Sequence, residues 1–458
     1  MCTLGTRILY ILKSIKKRWV GGKFVRNNMI KSVYRSIFLS TTLLWVLSSF
    51  AFGDTGLSVK HAVRVGLEKN PGLTQILKRY EALNEVPSQV KSLPDPIVSV
   101  GLINFPTDTF NRSQEAMTNV QIGFSQYFPY PGKLDLKGEI AEFEATAAYH
   151  TVDEVRLLLV NHIESTWWQV YYFDRALETI RNNQELLRQF IQIAEEKYKT
   201  GDGLQQDVLL AQLELSKLLD QEIQVKAFRR NQGINLNLLM GEKASRNIRL
   251  AKKKEKRLSH KMNEKYLYRL ATEYRPSLKR EESKVLASGS RLDLARREYY
   301  PDFNVAVSYG DRQGYNPGTF NDPRADLFSL KVGIKVPLYY KTKQSKAVQQ
   351  KFIEQQERYA ALEDEKLKVM AEISKNYTDY HQARKQLALF KTGILPQARQ
   401  TVESMRAGYQ VSKVDFLNLV QSQVTLFNYE LMYWKALTFS MQALSGMKAN
   451  VGEVNIYE

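Results

Sequence analysis

Hydrophobic and polar residues alternate strictly in four short stretches, whereas over most of the chain apolar residues recur at helical spacing. The alternation is clearest in Phe328, Leu330, Val332, Ile334, Val336 and Leu338, with Ser329, Lys331, Gly333 and Lys335 between them. Val120, Ile122 and Phe124 enclose Gln121 and Gly123; Phe303, Val305, Val307 and Tyr309 enclose Asn304, Ala306 and Ser308. Val98, Val100 and Leu102 repeat the pattern, although Ile97 and Ile103 dilute the other side. A period of two puts alternate side chains on opposite faces of a strand. Strands are therefore predicted at 97–104, 119–128, 302–310 and 328–338, and helices at 58–92, 132–199, 204–240, 262–299, 341–408 and 412–446.

The helix lengths predict how the helices pack. A helix over 132–199 rises about 100 Å at ~1.5 Å per residue and cannot bury itself alone. The two shorter helices of each half together match the long one, so they are expected to stack end to end as a second, antiparallel rod. Leu204, Val208, Ala211, Leu215 and Leu218, and likewise Val420, Val424, Phe427, Leu431 and Trp434, recur at alternating spacings of 4 and 3, the period of a coiled-coil seam.

The same order of elements occurs twice. Asn70-Pro71-Gly72-Leu73 resembles Arg275-Pro276-Ser277-Leu278. Phe128-Pro129 and Val336-Pro337 each end or nearly end a strand. The segment from Tyr198 lies over that from Tyr409, with Gln212 on Gln423 and Leu215 on Leu426. The separations are 205 (71 to 276), 208 (129 to 337) and 211 (198 to 409). One match could be chance; an ordered set indicates duplication. The expected organisation is a first repeat at 54–248, a linker at 249–261 containing Lys252, Lys253, Lys254 and Lys256, and a second repeat at 262–458.

The strands have the length of tilted bilayer-crossing strands. Aromatic residues crowd their ends: Phe105, Phe110, Tyr127, Phe128, Tyr130, Tyr299, Tyr300, Tyr315, Tyr339 and Tyr340. Such rings form the interfacial girdles of outer-membrane barrels. The competing reading is a small soluble sheet with one buried face. Against it, the helices have only narrow seams and offer no broad apolar cover, and the loops 105–118 and 310–327 are long and polar. Val120, Ile122, Phe124, Val305, Val307, Leu330, Val332 and Ile334 are the expected lipid-facing residues. Four strands cannot close a barrel, and an open edge in lipid leaves backbone groups unpaired at several kcal/mol each. Several copies must therefore share one barrel.

Composition supports a folded protein, at 43% hydrophobic and 25% charged residues. The net charge of +18 first suggests nucleic acid, but nine of those charges lie in residues 1–53, which hold no acid. That segment reads as an export signal. Basic residues precede the apolar run 37–52, and a cut after Ala51 or Gly53 suits a signal peptidase. The run is shorter than the roughly 20 residues of a membrane span. Met29 begins a signal of ordinary size and is a candidate start. The lone cysteine, Cys2, lies in this segment, so no disulfide or cysteine metal site is expected beyond it. The linker lacks the interleaved aromatics of a nucleic-acid patch.

No chemistry of catalysis emerges. His61, His150, His162, His260 and His381 are scattered without ligand spacing, and His162, near Trp167 and Trp168, reads as a packing residue. There is no nucleotide loop, nucleophile motif or paired-carboxylate site. No enzyme activity, cofactor or metal is expected.

Taken together, these residues resemble the TolC family of trimeric outer-membrane efflux channels over the whole chain beyond the signal. Leu93-Pro94-Asp95-Pro96, Asn104-Phe105-Pro106, Met117-Thr118, Gln126-Tyr127-Phe128-Pro129 and Pro131-Gly132-Lys133-Leu134 resemble the CzcC and CusC type of branch, which serves heavy-metal RND pumps. The resemblance implies a mainly α fold with a small β part: duplicated helix-β-β-helix-helix halves form a long helical barrel, and a homotrimer shares a twelve-stranded outer-membrane barrel. It implies a periplasmic adaptor and an inner-membrane RND-type pump as partners. It also implies a closed entrance at the hairpin tips, which map to Tyr198, Gly201, Gly203 and Asp207 in the first repeat and Tyr409, Asp415, Asn418 and Gln421 in the second. The family often carries an acidic ring on the second tip; Asn418 and Gln421 there are uncharged, while Asp207 and Asp415 could attract cations or cap their helices.

The expected function is a passive outer-membrane exit duct, with metal cations as cargo. Drug efflux, type I protein secretion and a non-conducting periplasmic coiled coil are the alternatives.

Overall fold

A computed structural model describes residues 56–251, 262–319 and 321–452. The export segment, the candidate start at Met29 and the four linker lysines lie outside the described residues. The first half comprises α1 (Val59–Lys69), α2 (Pro71–Asn84), α3 (Val86–Lys91), β1 (Ile97–Ile103), β2 (Asn119–Phe128), α4 (Lys133–Lys199) and α5 (Gln205–Leu239). The second comprises α6 (Glu264–Tyr274), α7 (Pro276–Arg297), β3 (Asp302–Asp311), β4 (Leu327–Lys335), α8 (Gln344–Leu389), a π turn (Phe390–Ile394), α9 (Leu395–Gln410) and α10 (Phe416–Val451).

Three stretches expected as continuous helices are divided, each beside a proline. Pro71, Pro87 and Pro276 lack an N–H but fit the first turn of a helix, so they start α2, α3 and α7 afresh. Asn70 caps α2 by accepting from the Leu73 N–H at 3.0 Å. In the second half, Pro396 cannot donate to the preceding turn; there the Leu395 N–H reaches back to the Phe390 carbonyl and a π turn replaces one turn of α helix.

The 67-residue α4 runs from the sheet to the far tip. Beside it α5 climbs back, with Arg181 paired to Glu222 at 3.0 Å and Arg229 to Asp174 at 2.9 Å. Where α5 ends, α1 to α3 continue the second rod towards the sheet: Trp167 Nε1 donates to the Leu57 carbonyl at 2.9 Å and Lys91 pairs with Glu142 at 2.9 Å. The second half repeats this arrangement.

The two halves are knotted in the same way where the short helices meet. Gly241 (φ +69°) and Gly452 (φ +82°) end the returning helices in the left-handed region that glycine favours. A Cβ on Gly241 would lie 2.4 Å from the Lys69 carbonyl oxygen, and one on Gly452 2.5 Å from that of Tyr274. Asn70 Nδ2 donates to the Leu239 carbonyl at 2.9 Å. Its counterpart Arg275 donates through Nη1 to the Ala449 carbonyl and through Nη2 to Glu154 Oε1 at 2.6 Å, reaching from the second half into α4 of the first. The largest core lies beside these knots, where Trp167, Trp168 and Tyr171 of α4 meet Tyr433 and Leu437 of α10.

The four strands form one antiparallel sheet in the order β1-β2-β3-β4, leaving the outer edges of β1 and β4 open among the described residues. In register, Val98, Phe124, Val307 and Leu330 lie side by side, as do Val100, Ile122, Tyr309 and Phe328. The other face carries rows such as Ser99, Gly123, Ser308 and Ser329. One face is thus apolar apart from Gln126 and Asp311, and the other is mostly small or polar. No helix among the described residues is long and apolar enough to cross a membrane.

Candidate functional site

The hairpin tips are built on one template. At the end of α4 the Asp202 N–H bonds the Lys197 carbonyl at 2.9 Å and the Gly201 N–H bonds that of Tyr198 at 3.2 Å. At the end of α9 the Lys413 N–H bonds Gly408 at 2.9 Å and the Ser412 N–H bonds Tyr409 at 3.1 Å. Both are Schellman motifs, which need a left-handed residue at the turn. Gly201 supplies it at φ +81°, and Ser412 adopts φ +54° despite its side chain.

The two turns exchange the sizes of their packing partners. In the first, Lys197 faces Gly203, where a Cβ would lie 2.8 Å from Lys197 Cβ. In the second, Gly408 faces Val414, where a Cβ would lie 2.5 Å from Val414 Cγ2. Each turn has space for one side chain, and the halves place it on opposite sides.

The tips also touch each other. Lys197 Nζ donates to Ser412 Oγ at 2.7 Å and lies 5.0 Å from the centre of the Tyr409 ring. The Tyr409 hydroxyl donates to Asp207 Oδ2 at 3.5 Å. Burial, with the Asp207 carboxylate nearby, pushes the Tyr409 hydroxyl up to about 12. Burial also lifts Asp207 above the ordinary carboxylate range; Asp415 adds to the lift, while the Tyr409 hydroxyl and Lys197 oppose it.

Sequence reasoning named eight tip residues, and the structure brings only some of them together. Asp207 and Tyr409 meet, Tyr409 being buried against Phe416. Gly201 and Gly203 shape the first turn. Tyr198, Asp415, Asn418 and Gln421 are exposed, and Asp415 sits at the N-cap of α10 without a side-chain capping bond. Lys197 and Ser412 were missed: nothing in their local spacing signals a contact 215 positions apart. Leu204, expected in the α5 seam, is exposed at the tip, and the seam begins at Val208.

Behind the tips, Phe190, Ala194, Ala211, Leu419 and Val420 form a separate apolar core. Beside it, Gln423 Nε2 donates to Asn183 Oδ1 at 2.5 Å in a buried polar bridge.

On the sheet, Ile122, Phe124, Leu330, Val332 and Ile334 are exposed, whereas Val120, Val305 and Val307 are half-buried by their strand neighbours. All eight lie on the apolar face. His162 is exposed, so it is not the packing residue expected from its tryptophan neighbours. Among the described residues no group of three or more His, Cys, Asp or Glu is placed to hold a metal ion.

Residues 96–242 and 267–452 match the family model described as outer membrane efflux protein. Among solved structures, CusC superposes with a TM-score of 0.72 at 14% identity, covering 87% of this chain and 93% of that one. VceC of Vibrio cholerae gives 0.71 at 16% identity, with 86% and 96% covered. CmeC of Campylobacter jejuni gives 0.70 at 12%, with 86% and 85% covered. No curated protein matches the chain in sequence.

Proposed function

The chain belongs to the outer membrane efflux protein family, and from that premise we propose that it is a passive exit duct, three copies of which share one barrel. The observation that carries this reading is the sheet. Its apolar rows are solvent-exposed in the single chain, with Val100 and Phe328 at 72% and 73%, and its two outer edges are open. Lipid would cover the first feature, and pairing of β4 with β1 of the next copy would satisfy the second. The test uses Ser99→Cys in β1 with Ser329→Cys in β4. In outer-membrane fractions a short bis-maleimide should link neighbouring copies into a ladder ending at the trimer. A monomer recovered from the soluble periplasm would sink the reading.

The helical rods continue this barrel as a periplasmic tunnel, with the hairpin tips as its inner entrance. The bonds Tyr409 to Asp207 and Lys197 to Ser412 hold the tips together within one chain and so keep the entrance shut. Opening it falls to a periplasmic adaptor and an RND-type pump, which also supply the energy. Metal cations are the favoured cargo, supported by the Leu93–Pro96 and Gln126–Leu134 motifs. Drug efflux and type I secretion are the alternatives, and a deletion strain sensitised to divalent metals but not to dyes or detergents would separate them.

A further inference from the structure

The four strands carry four charged residues: Asp302, Asp311, Lys331 and Lys335. The two acids are neutralised where they stand. Asp302 accepts from Lys133 Nζ and the Tyr130 N–H at 2.8 Å each through Oδ1, and from the Tyr127 hydroxyl at 2.6 Å through Oδ2. Both Asp302 and Lys133 are buried. Asp311, at the other end of β3, is paired with Arg112 of the β1–β2 loop.

The two lysines are not neutralised in this way. Lys331 and Lys335 are exposed and alternate with Leu330, Val332 and Ile334, so they stand on the polar face. Lys331 lies in register with Ala306, which continues to Ser125 and Ile97, a row with no carboxylate. Lys335 lies opposite Asp302, which already accepts three hydrogen bonds and is ion-paired with Lys133. A second acid, Glu298, is 3.4 Å from Lys133 and shares a small cleft with Lys335. From Leu327 to Ile353 the chain contains six lysines and no acid.

If lipid covers the apolar face, the polar face lines the lumen. We propose that the barrel lumen selects for anions, and that Lys331 and Lys335 set this preference. The inference rests on the duct reading above. Repeated around a barrel, these ammonium groups hold a positive potential over small hydroxyl and glycine neighbours, which concentrates anions in the exit and repels free cations. A metal ion leaving by this route travels with anionic ligands or counter-ions.

Purified full-length protein in planar bilayers under a potassium chloride gradient tests this by its reversal potential, in wild type and in an Asp207→Asn background where the tips carry less negative charge. Chloride should permeate better than potassium. Lys331→Gln with Lys335→Gln should lower the permeability ratio several-fold, Lys331→Glu should invert the sign, and Lys331→Arg should retain it. A conducting channel that prefers potassium, or whose ratio ignores these changes, overturns this inference and leaves the duct standing. A purified trimer that never conducts, even when Tyr409→Phe with Lys197→Gln releases the tips, overturns both.

Discussion

The hydroxyl of Tyr409 meets Oδ2 of Asp207 at 3.5 Å, joining the turn that closes the second long hairpin to the first turn of α5, 202 positions earlier. The bond is long and contributes about 1 kcal/mol or less. Tyr409→Phe keeps the ring in its core and should raise the open fraction in planar bilayers a few-fold. Adding Lys197→Gln removes the second link and should raise it further. Conductance unchanged in the double variant would show that the entrance is held elsewhere.

The same contact has a pH dependence of defined sign. The closed tip raises the Asp207 carboxyl above its ordinary value of 3.8, so closure favours the protonated acid. The stabilisation is fully present below that ordinary value and is lost as pH rises through the raised one. Asp415 and Lys197 act on the same carboxyl and Tyr409 donates to it, but Asp207→Asn alone should remove the carboxylate step. Acidification should therefore reduce conductance in wild type and leave Asp207→Asn flat over that window.

Ser412 holds φ at +54° where the matching Gly201 is free of strain. A left-handed non-glycine residue costs roughly 1 to 2 kcal/mol. Ser412→Ala keeps that strain and loses the Lys197 bond; Ser412→Gly loses the bond and sheds the strain. Thermal melts should place Gly above Ala, and the reverse order would contradict the matching of the two turns.

Arg275 and Glu154 are both buried. Burial raises the Glu154 carboxyl and lowers the Arg275 guanidinium, in each case against the pull of the partner. Removing either partner alone, by Glu154→Leu or Arg275→Met, leaves a buried charge and should cost about 3 kcal/mol or more, while the double change should recover much of it. Additive losses in denaturant melts would refute this coupling.

On the sheet, Ile122→Lys on the apolar face should cost roughly 2 to 4 kcal/mol in lipid. Ser308→Lys, on the opposite face of the adjoining strand, should be nearly neutral. Trimer yield from outer membranes compares the two, and equal tolerance would mean that the apolar face does not meet lipid.

The strands were legible because alternation is a local signal and each apolar residue lies beside another in the paired strand. Pro71 and Pro276 marked the repeat, yet the stretches 58–92 and 262–299 were expected as continuous helices, and the breaks that the missing N–H groups impose there were not foreseen. The knots were less legible: Asn70 and Arg275 do equivalent work through different chemistry, an amide in one half and a guanidinium in the other. The tip contacts were not legible at all. The exchange of Lys197 and Gly203 for Gly408 and Val414 keeps the packing while erasing residue-by-residue similarity.

The open edges of β1 and β4 also bear on inheritance. In the shared barrel proposed above, a copy with one damaged edge strand spoils the seam with one neighbour, and an unclosed seam disables the whole ring rather than that copy's own share. In a cell making normal and edge-defective copies in equal amounts, most rings would contain at least one bad seam. Defects at these edges should therefore behave as dominant, whereas defects that unfold the chain before assembly should remain recessive.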